Sequence, residues 1–308
     1  MRFIVGRLVQ FPLILAVIYL ITFLLAWVAP GSPFGNDEKP MDPLVRTELL
    51  ERFHADHLSQ FLEFYPRRLL LHGDFGPSMS YPGWSVNDVM RAALPVSISL
   101  GLFGLTIAWT VGSAIGVLAA VRRGGVFDWL SLAAALVGIS VPGFVAAGAM
   151  IVVFSDWLHW FPSAGWGSLR QMVLPGVAIS LLPLAYIARL TRAAMLDVLG
   201  SDFIRTARAK GLSGYDVIWR HAFQNALLPV FSYLGPAAAA AMTGSFVVEY
   251  IFNIPGLGQH FVRGVQNRDQ TLILGTVMVY SALLMGLNLI VDVGYALVDP
   301  RIDVTARV

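Results

Sequence analysis

Six long apolar runs divide the chain, at about 8–29, 92–121, 129–155, 172–190, 226–252 and 272–298. Each comes close to, or exceeds, the ~20 residues that carry an α-helix across ~30 Å of hydrocarbon at ~1.5 Å per residue. Helix is the conformation to expect, because an open strand in lipid leaves its backbone N–H and C=O groups unpaired. The pattern predicts an all-α integral membrane protein with six transmembrane helices, and an even number of spans puts both termini on one side. Between the first two runs, residues 42–71 are polar but carry Leu49, Leu50, Phe53, Leu58, Phe61, Leu62 and Tyr65 at helical spacing, which predicts a short surface helix. That segment is too small for a catalytic domain. It reads either as a cap on the outer ends of the bundle or as an element specific to a substrate.

Composition agrees with the pattern. Of 308 residues, 56% are hydrophobic and 13% charged, with a mean hydropathy of +0.69. A soluble domain carries roughly 25% charged residues, so too few polar side chains are present to cover a water-facing surface of this size. The net charge of +2 does not indicate nucleic acid, since no basic run is interleaved with stacking aromatics. The basic residues instead orient the chain. With the N-terminus inside, twelve arginines and lysines fall on the inner side, among them Arg2, Arg7, Arg122, Arg123 and Arg301, against three in the short outer loops. The long 30–91 loop carries six more together with nine acids, and long loops cross largely regardless of charge. Both termini are therefore expected in the cytoplasm. The first run is too long for a signal-peptide core and reads as a retained span.

The predicted organisation is a cytoplasmic N-terminus and first span (1–29), an extracytoplasmic loop with a short helix (30–91), a five-helix core (92–298) with an inner loop at about 193–225, and a cytoplasmic tail (299–308).

Several chemistries are excluded or weak. With no cysteine, there are no disulfides, thiolate nucleophiles or cysteine-ligated metals. Lys39 and Lys210 are the only lysines, and neither belongs to a Gly-x-x-x-x-Gly-Lys-Ser/Thr loop, so the chain has no P-loop with which to hydrolyse ATP. His54 and His57 lie one turn apart but lack a clear third ligand, and solvated surface is the simpler reading. His221 fits a structural hydrogen bond better than a pH switch. Pro142 and Pro183 fall inside spans, where each frees a carbonyl and bends a helix, whether for packing or for an opening pathway. Glu249 and Asp292 lie near span ends, where acids are costly unless paired or close to water. Glu249 with Pro255, Gly256 and Gly258 is a candidate outer gate or receptor contact, and Asp292 a structural tie. Pro255-Gly256-Leu257-Gly258 reads as a re-entrant turn.

The loop between the fourth and fifth runs carries the most information. Asp202-Phe203-Ile204-Arg205-Thr206-Ala207-Arg208-Ala209-Lys210-Gly211-Leu212-Ser213 is polar, basic and helix-favouring, and is broken by a glycine able to take φ > 0. A helical pattern resumes from Tyr215 to Phe223. Such a segment presents side chains below the membrane, as a docking surface or as an ordinary charged loop. It resembles the cytoplasmic loop by which the permeases of ABC importers engage their ATPases. In the general motif, Glu-Ala-Ala, three residues, then Gly, this chain has Arg205, Thr206, Ala207 and Gly211. The departures at the first two positions resemble the wording of the peptide and nickel subgroup. Further matches are Ala29-Pro30-Gly31-Ser32-Pro33-Phe34, Gly73-Asp74-Phe75-Gly76-Pro77-Ser78, Ser85-Val86-Asn87-Asp88, Pro255-Gly256-Leu257-Gly258-Gln259, Asn267-Arg268-Asp269 and Asp299-Pro300-Arg301-Ile302, with Asp292 and Tyr295 ahead of the last. In this order they resemble the B-type permeases of oligopeptide importers over essentially the whole length.

The resemblance implies a type I ABC importer permease in a prokaryotic inner or plasma membrane. It implies a second homologous permease, two ATPase subunits that bind ATP and Mg, and an extracytoplasmic substrate-binding protein as partners, with membrane lipid around them. This chain itself would bind no cofactor, metal or nucleic acid and would catalyse no reaction. Residues Arg205, Thr206, Ala207, Arg208, Ala209, Lys210, Gly211, Leu212 and Ser213 would couple ATPase motion to the helices. Peptides are the expected substrate, with nickel, glutathione or oligosaccharides as alternatives in the same class. A stand-alone secondary transporter would call for mid-span ionisable groups and inverted repeats. A membrane enzyme would call for a catalytic constellation at membrane depth. Neither pattern is visible.

Overall fold

The computed structural model describes residues 2–29, 58–79, 81 and 83–298. Among these, helix is the only regular structure apart from one antiparallel bridge between Pro77 and Ser85. The helices are α1 (Arg2–Val28), α2 (Leu58–His72), α3 (Val86–Val121), α4 (Val126–Ser140) and α5 (Gly143–Met150, prolonged by a π-helical stretch Ile151–Trp157). Then follow α6 (Leu169–Leu199), α7 (Asp202–Ala209) and α8 (Gly214–Asp216, continuing through a π-helical stretch Val217–Ala222 into Phe223–Ala226). The last are α9 (Leu228–Ile251), α10 (Leu257–Asn267) and α11 (Gln270–Val298).

All six apolar runs are helical. Stretches of α1, α3, α6 and α11 are long and apolar enough to cross a membrane, and α4 with α5 makes a fifth if the pair is one span. That third run is not one straight helix, because α4 and α5 meet at 106°. The break falls where backbone chemistry requires it. Val141, preceding a proline, is pushed to φ −84°, ψ 119°, and Pro142 itself sits at φ −57°, ψ 137° as the cap of α5. Pro183 behaves differently, since α6 runs unbroken through both Pro175 and Pro183. The expected surface helix exists as α2; residues 42–57, with His54 and His57, lie outside the described residues, as does the 299–308 tail. No group of three potential metal ligands is found among the described residues.

Two compact units emerge from the contacts. The first comprises the described residues of Met1–Ser97 and Ile254–Met285. Its apolar centre joins Tyr19 and Phe23 of α1, Tyr65 of α2 and Leu274 of α11. Beside it, polar side chains fix the chain between α2 and α3. The Asn87 Oδ1 accepts from the Phe75 N–H at 2.8 Å, and its Nδ2 donates to the Gly73 carbonyl at 2.8 Å. Asp74 accepts from the Gly76 N–H and from the Arg68 guanidinium. Burial pushes the Asp74 carboxyl up, but the Gly76 and Arg68 hydrogen bonds and the Arg68 charge outweigh it and hold the pKa below the usual carboxylate value. Thus two of the short motifs legible in the sequence are turn chemistry.

The second unit comprises the described residues of Ile98–Asn253 and Gly286–Val308, with α6 at its centre against α4, α5 and α9. Small residues four apart on α3 (Gly104, Ala108, Gly112, Gly116 and Ala120) are all buried. This spacing lets two backbones approach closely within the membrane. A Cβ at Gly116 would lie 2.6 Å from both the Ala188 carbonyl oxygen and the Thr191 Cβ, so α3 and α6 are locked together along this seam.

Candidate coupling surface

The segment that follows α6 is built from a sequence of capping devices. α6 runs to Leu199, and the chain turns at Gly200 and Ser201, where Ser201 has the extended conformation of an N-cap (φ −75°, ψ 156°). α7 then carries Asp202 in its first turn and Arg208 in its last, each sign favourable to the helix dipole. It ends in a two-bond motif: the Leu212 N–H donates to the Ala207 carbonyl at 3.3 Å and the Gly211 N–H to the Arg208 carbonyl at 3.0 Å. This closure requires a left-handed residue, and Gly211 has φ +80°. The expected glycine break is therefore real and conformational; space around Gly211 is open. Two residues on, Ser213 caps α8 by accepting the Asp216 N–H at 3.1 Å while its hydroxyl donates to the Asp216 carboxylate at 2.6 Å.

The segment has two faces. Ile204 and Ala207, three apart, are buried with Val117 and Ala120 of α3, Met195 of α6 and Val217, Ala222 and Ala226 of α8. Of the nine candidate coupling residues, only Ala207 belongs to that face. Arg205, Thr206, Arg208, Ala209, Lys210, Gly211, Leu212 and Ser213 are all exposed. Arg205 meets Asp202 at 3.2 Å and Arg220 meets Asp216 at 3.5 Å, both in solvent, where such pairs contribute little. The structure thus brings these residues together on one exposed elbow, held from behind by an apolar centre. Apolar groups are exposed on the same elbow, namely Phe203, Leu212, Tyr215 and Trp219, with Tyr215, Trp219 and Phe223 in successive ring contact at 6.3 and 5.2 Å. Leu212 is among the candidate coupling residues, whereas Phe203, Tyr215 and Trp219 are not; the signal for the last two is a pair of large aromatics one turn apart beside the basic segment.

A second feature that the sequence did not disclose lies close in the chain to this elbow. Arg192, near the end of α6, grips Asp128 at the start of α4 with both arms: Nε to Oδ1 at 2.6 Å and Nη2 to Oδ2 at 2.8 Å. The Gly124 N–H adds a third bond to Oδ2 at 2.9 Å, and Asp128 is buried. A two-armed guanidinium–carboxylate pair fixes orientation as well as distance. α3, α4, α6 and α7 are therefore tied at neighbouring ends by the glycine seam, the ion pair and the Ile204 centre.

The other candidate residues lie apart from the elbow in sequence. Glu249, in α9 of the second unit, is fully buried. In the first unit Pro255 is exposed, while Gly256 and Gly258 are buried. Gly256 caps a helix not foreseen from the sequence, α10, whose Leu257 N–H donates to the Ser97 hydroxyl at 2.8 Å. The Asn267-Arg268-Asp269 motif closes α10 and opens α11. Arg268 is left-handed at φ 58°, and the buried Asp269 accepts from the Leu272 N–H at 2.9 Å and from Ser78 at 2.6 Å.

Comparison with known proteins matches residues 112–304 to the family described as binding-protein-dependent transport system inner membrane component. The dipeptide transport system permease protein DppB of Bacillus subtilis (strain 168) is 42% identical over 301 residues, 98% of this chain and 97% of that protein. The oligopeptide transport system permease protein OppB of Escherichia coli (strain K12) is 42% identical over 304 residues, 98% of this chain and 99% of that protein. Among solved structures, an inward-facing MetNI methionine ABC transporter chain superposes with a TM-score of 0.59 at 16% identity, covering 68% of this chain and 96% of that one. At that identity the likeness shows a shared fold.

Proposed function

The chain belongs to the family of binding-protein-dependent transport system inner membrane components, and on that premise we propose that it is the B-type permease subunit of an ATP-driven importer of oligopeptides or dipeptides. It is a multi-pass protein of the inner membrane. In this reading six spans place both termini in the cytoplasm, a second homologous permease completes the pathway, two ATPase subunits bind below and a substrate-binding protein delivers peptide from outside. The peptide substrate rests on relatives that carry dipeptide and oligopeptide transport in their names and match almost the full length.

The observation that carries the mechanism is the α7–α8 elbow, exposed and basic on one face and anchored to α3 and α6 by the other. An ATPase partner with an apolar cleft and an acidic rim would take up Tyr215 and Trp219 in the cleft, with Arg205, Arg208 and Lys210 on the rim. When ATP closes the ATPase pair, the elbow moves. Because Ile204 and Ala207 share a packed centre with Val117 and Met195, and Arg192 holds Asp128, the neighbouring ends of α3, α4 and α6 move with it. Close-packed interfaces switch between discrete packings and do not stretch. That is the physical basis for turning a cleft below into an opening above. The chain's own contribution is binding and transmission, while ATP and Mg belong to the partners.

Purification in mild detergent from the native membrane tests this reading. The expected result is a second permease and P-loop ATPases at fixed stoichiometry, with peptide uptake into vesicles that requires ATP and the receptor. A chain that purifies alone and still transports would overturn it.

A further inference from the structure

Helix α2 packs on the span-length apolar helix α1, and its exposed face carries both basic and apolar side chains. Tyr65 stacks on Tyr19 of α1 at 5.9 Å with rings 4° from parallel, and the Tyr19 hydroxyl donates to the Leu62 carbonyl at 3.3 Å. Tyr19 is nine residues inside the end of α1's apolar stretch, Val9–Val28. α2 therefore runs against the membrane-embedded part of α1, with its opposite face turned outward. That outward face combines two chemistries. Leu70 is 83% exposed and Leu71 66% exposed. Beside them, Arg67, Arg68, His72 and the Arg68-paired Asp74 border an open recess of 510 Å³ whose apolar wall is Phe64 and Leu71.

The arginines differ in their partners. Arg68 is committed, forked onto Asp74 at 2.8 and 2.6 Å and laid over the Phe64 ring. Arg67 is exposed and makes no ion pair among the described residues. A guanidinium on a helix packed against a membrane span is costly unless it reaches an anion, and phosphate accepts its planar fork with two hydrogen bonds. We propose that the recess on α2 is a binding site for an anionic phospholipid, its headgroup phosphate held by Arg67 beside His72 and its acyl chains lying over Leu70 and Leu71. The juxtaposition of basic and apolar groups selects a lipid over a soluble phosphate, which would leave the leucines in water. The leaflet is the outer one on the topology proposed above; the site itself rests only on the packing of α2 against α1.

Native mass spectrometry of the full chain, purified with whatever subunits accompany it, tests the site by counting retained phosphatidylglycerol and phosphatidylethanolamine. Arg67→Gln is expected to reduce retained phosphatidylglycerol by about tenfold, with phosphatidylethanolamine unchanged and Arg67→Lys intermediate, because a lysine keeps the charge and loses the fork. Equal phosphatidylglycerol retention by the wild type and Arg67→Gln would overturn the site. So would a variant that keeps its lipid but loses affinity for the substrate-binding protein, which would make the patch a protein contact. Neither result bears on whether the ATPases co-purify, so failure here is distinguishable from failure of the transport reading.

Discussion

Asp128 and Arg192 are 64 residues apart, and their pairing fixes the start of α4 against the end of α6. The carboxylate has three donors and little water, so removing its charge leaves the guanidinium without an adequate partner. Breaking one side of such a pair leaves the other charge uncompensated. Asp128→Asn is expected to lower the melting temperature, and Arg192→Lys to lower it as well because one amine cannot bridge two oxygens; thermal unfolding of the purified chain measures both. In the sequence Arg192 is one of the twelve inner-side arginines and lysines and nothing more, because a distant partner leaves no local signature. Asp269 was legible only as part of a motif, and its bond to Ser78 needed the fold to be seen. His260 offers a test by pH. Burial, and after it the charge of Arg263, lowers its pKa, and its Nδ1 sits 3.4 Å from the Tyr81 hydroxyl. The unfolded chain titrates near ~6.5 and the folded one lower, so between those values the unfolded state binds more protons. Stability is then complete above about pH 6.5 and falls as pH drops toward the folded pKa. The fall in melting temperature on acidification should be larger in the wild type than in His260→Gln.

The elbow shows the same economy in its caps. Gly211 is left-handed in open space, so Gly211→Ala is expected to cost about 1 kcal/mol in conformation and nothing in clash. Its effect should register as weaker ATPase binding and slower peptide uptake in reconstituted vesicles, with the chain still folded by thermal unfolding. The turn at Gly211 was legible because a helix-forming stretch ending in Lys-Gly-Leu has few other closures. The break at Pro142 was only half legible. A proline inside an apolar run announces a disturbance, and whether it becomes a bend or a 106° corner depends on what packs around it; Pro183 lies in a helix that continues. α10 was missed for a different reason. Leu257, Phe261 and Val265 recur every four residues along its eleven residues, but the Pro-Gly-Leu-Gly start reads as a turn and draws attention from the stripe behind it.

Taken unit by unit, the chain separates two tasks. The described residues of Ile98–Asn253 and Gly286–Val308 hold the glycine seam, the Asp128–Arg192 pair and the elbow, the parts that on the proposed function would receive and transmit motion. The unit of Met1–Ser97 and Ile254–Met285 holds the capped turns around Asn87 and Asp269 and the α2 recess. The six apolar runs were readable from hydropathy because lipid imposes a length requirement, whereas the fixation of turns by single polar side chains was not. The central claim is that the α7–α8 elbow meets an ATPase and drives the helices behind it. The chain has no cysteine, so one introduced thiol is unambiguous. Ser213 is a cap and unsuited to replacement, while Ala209 is exposed and makes no capping bond with its side chain. The most direct measurement is disulfide crosslinking of Ala209→Cys to a cysteine in the ATPase cleft in inside-out membranes, with peptide uptake followed before and after reduction. The account predicts a crosslink to the ATPase, uptake arrested while it stands and restored on reduction. A thiol that reacts only with reagents outside the cell, or a crosslinked complex that transports at the full rate, would contradict it.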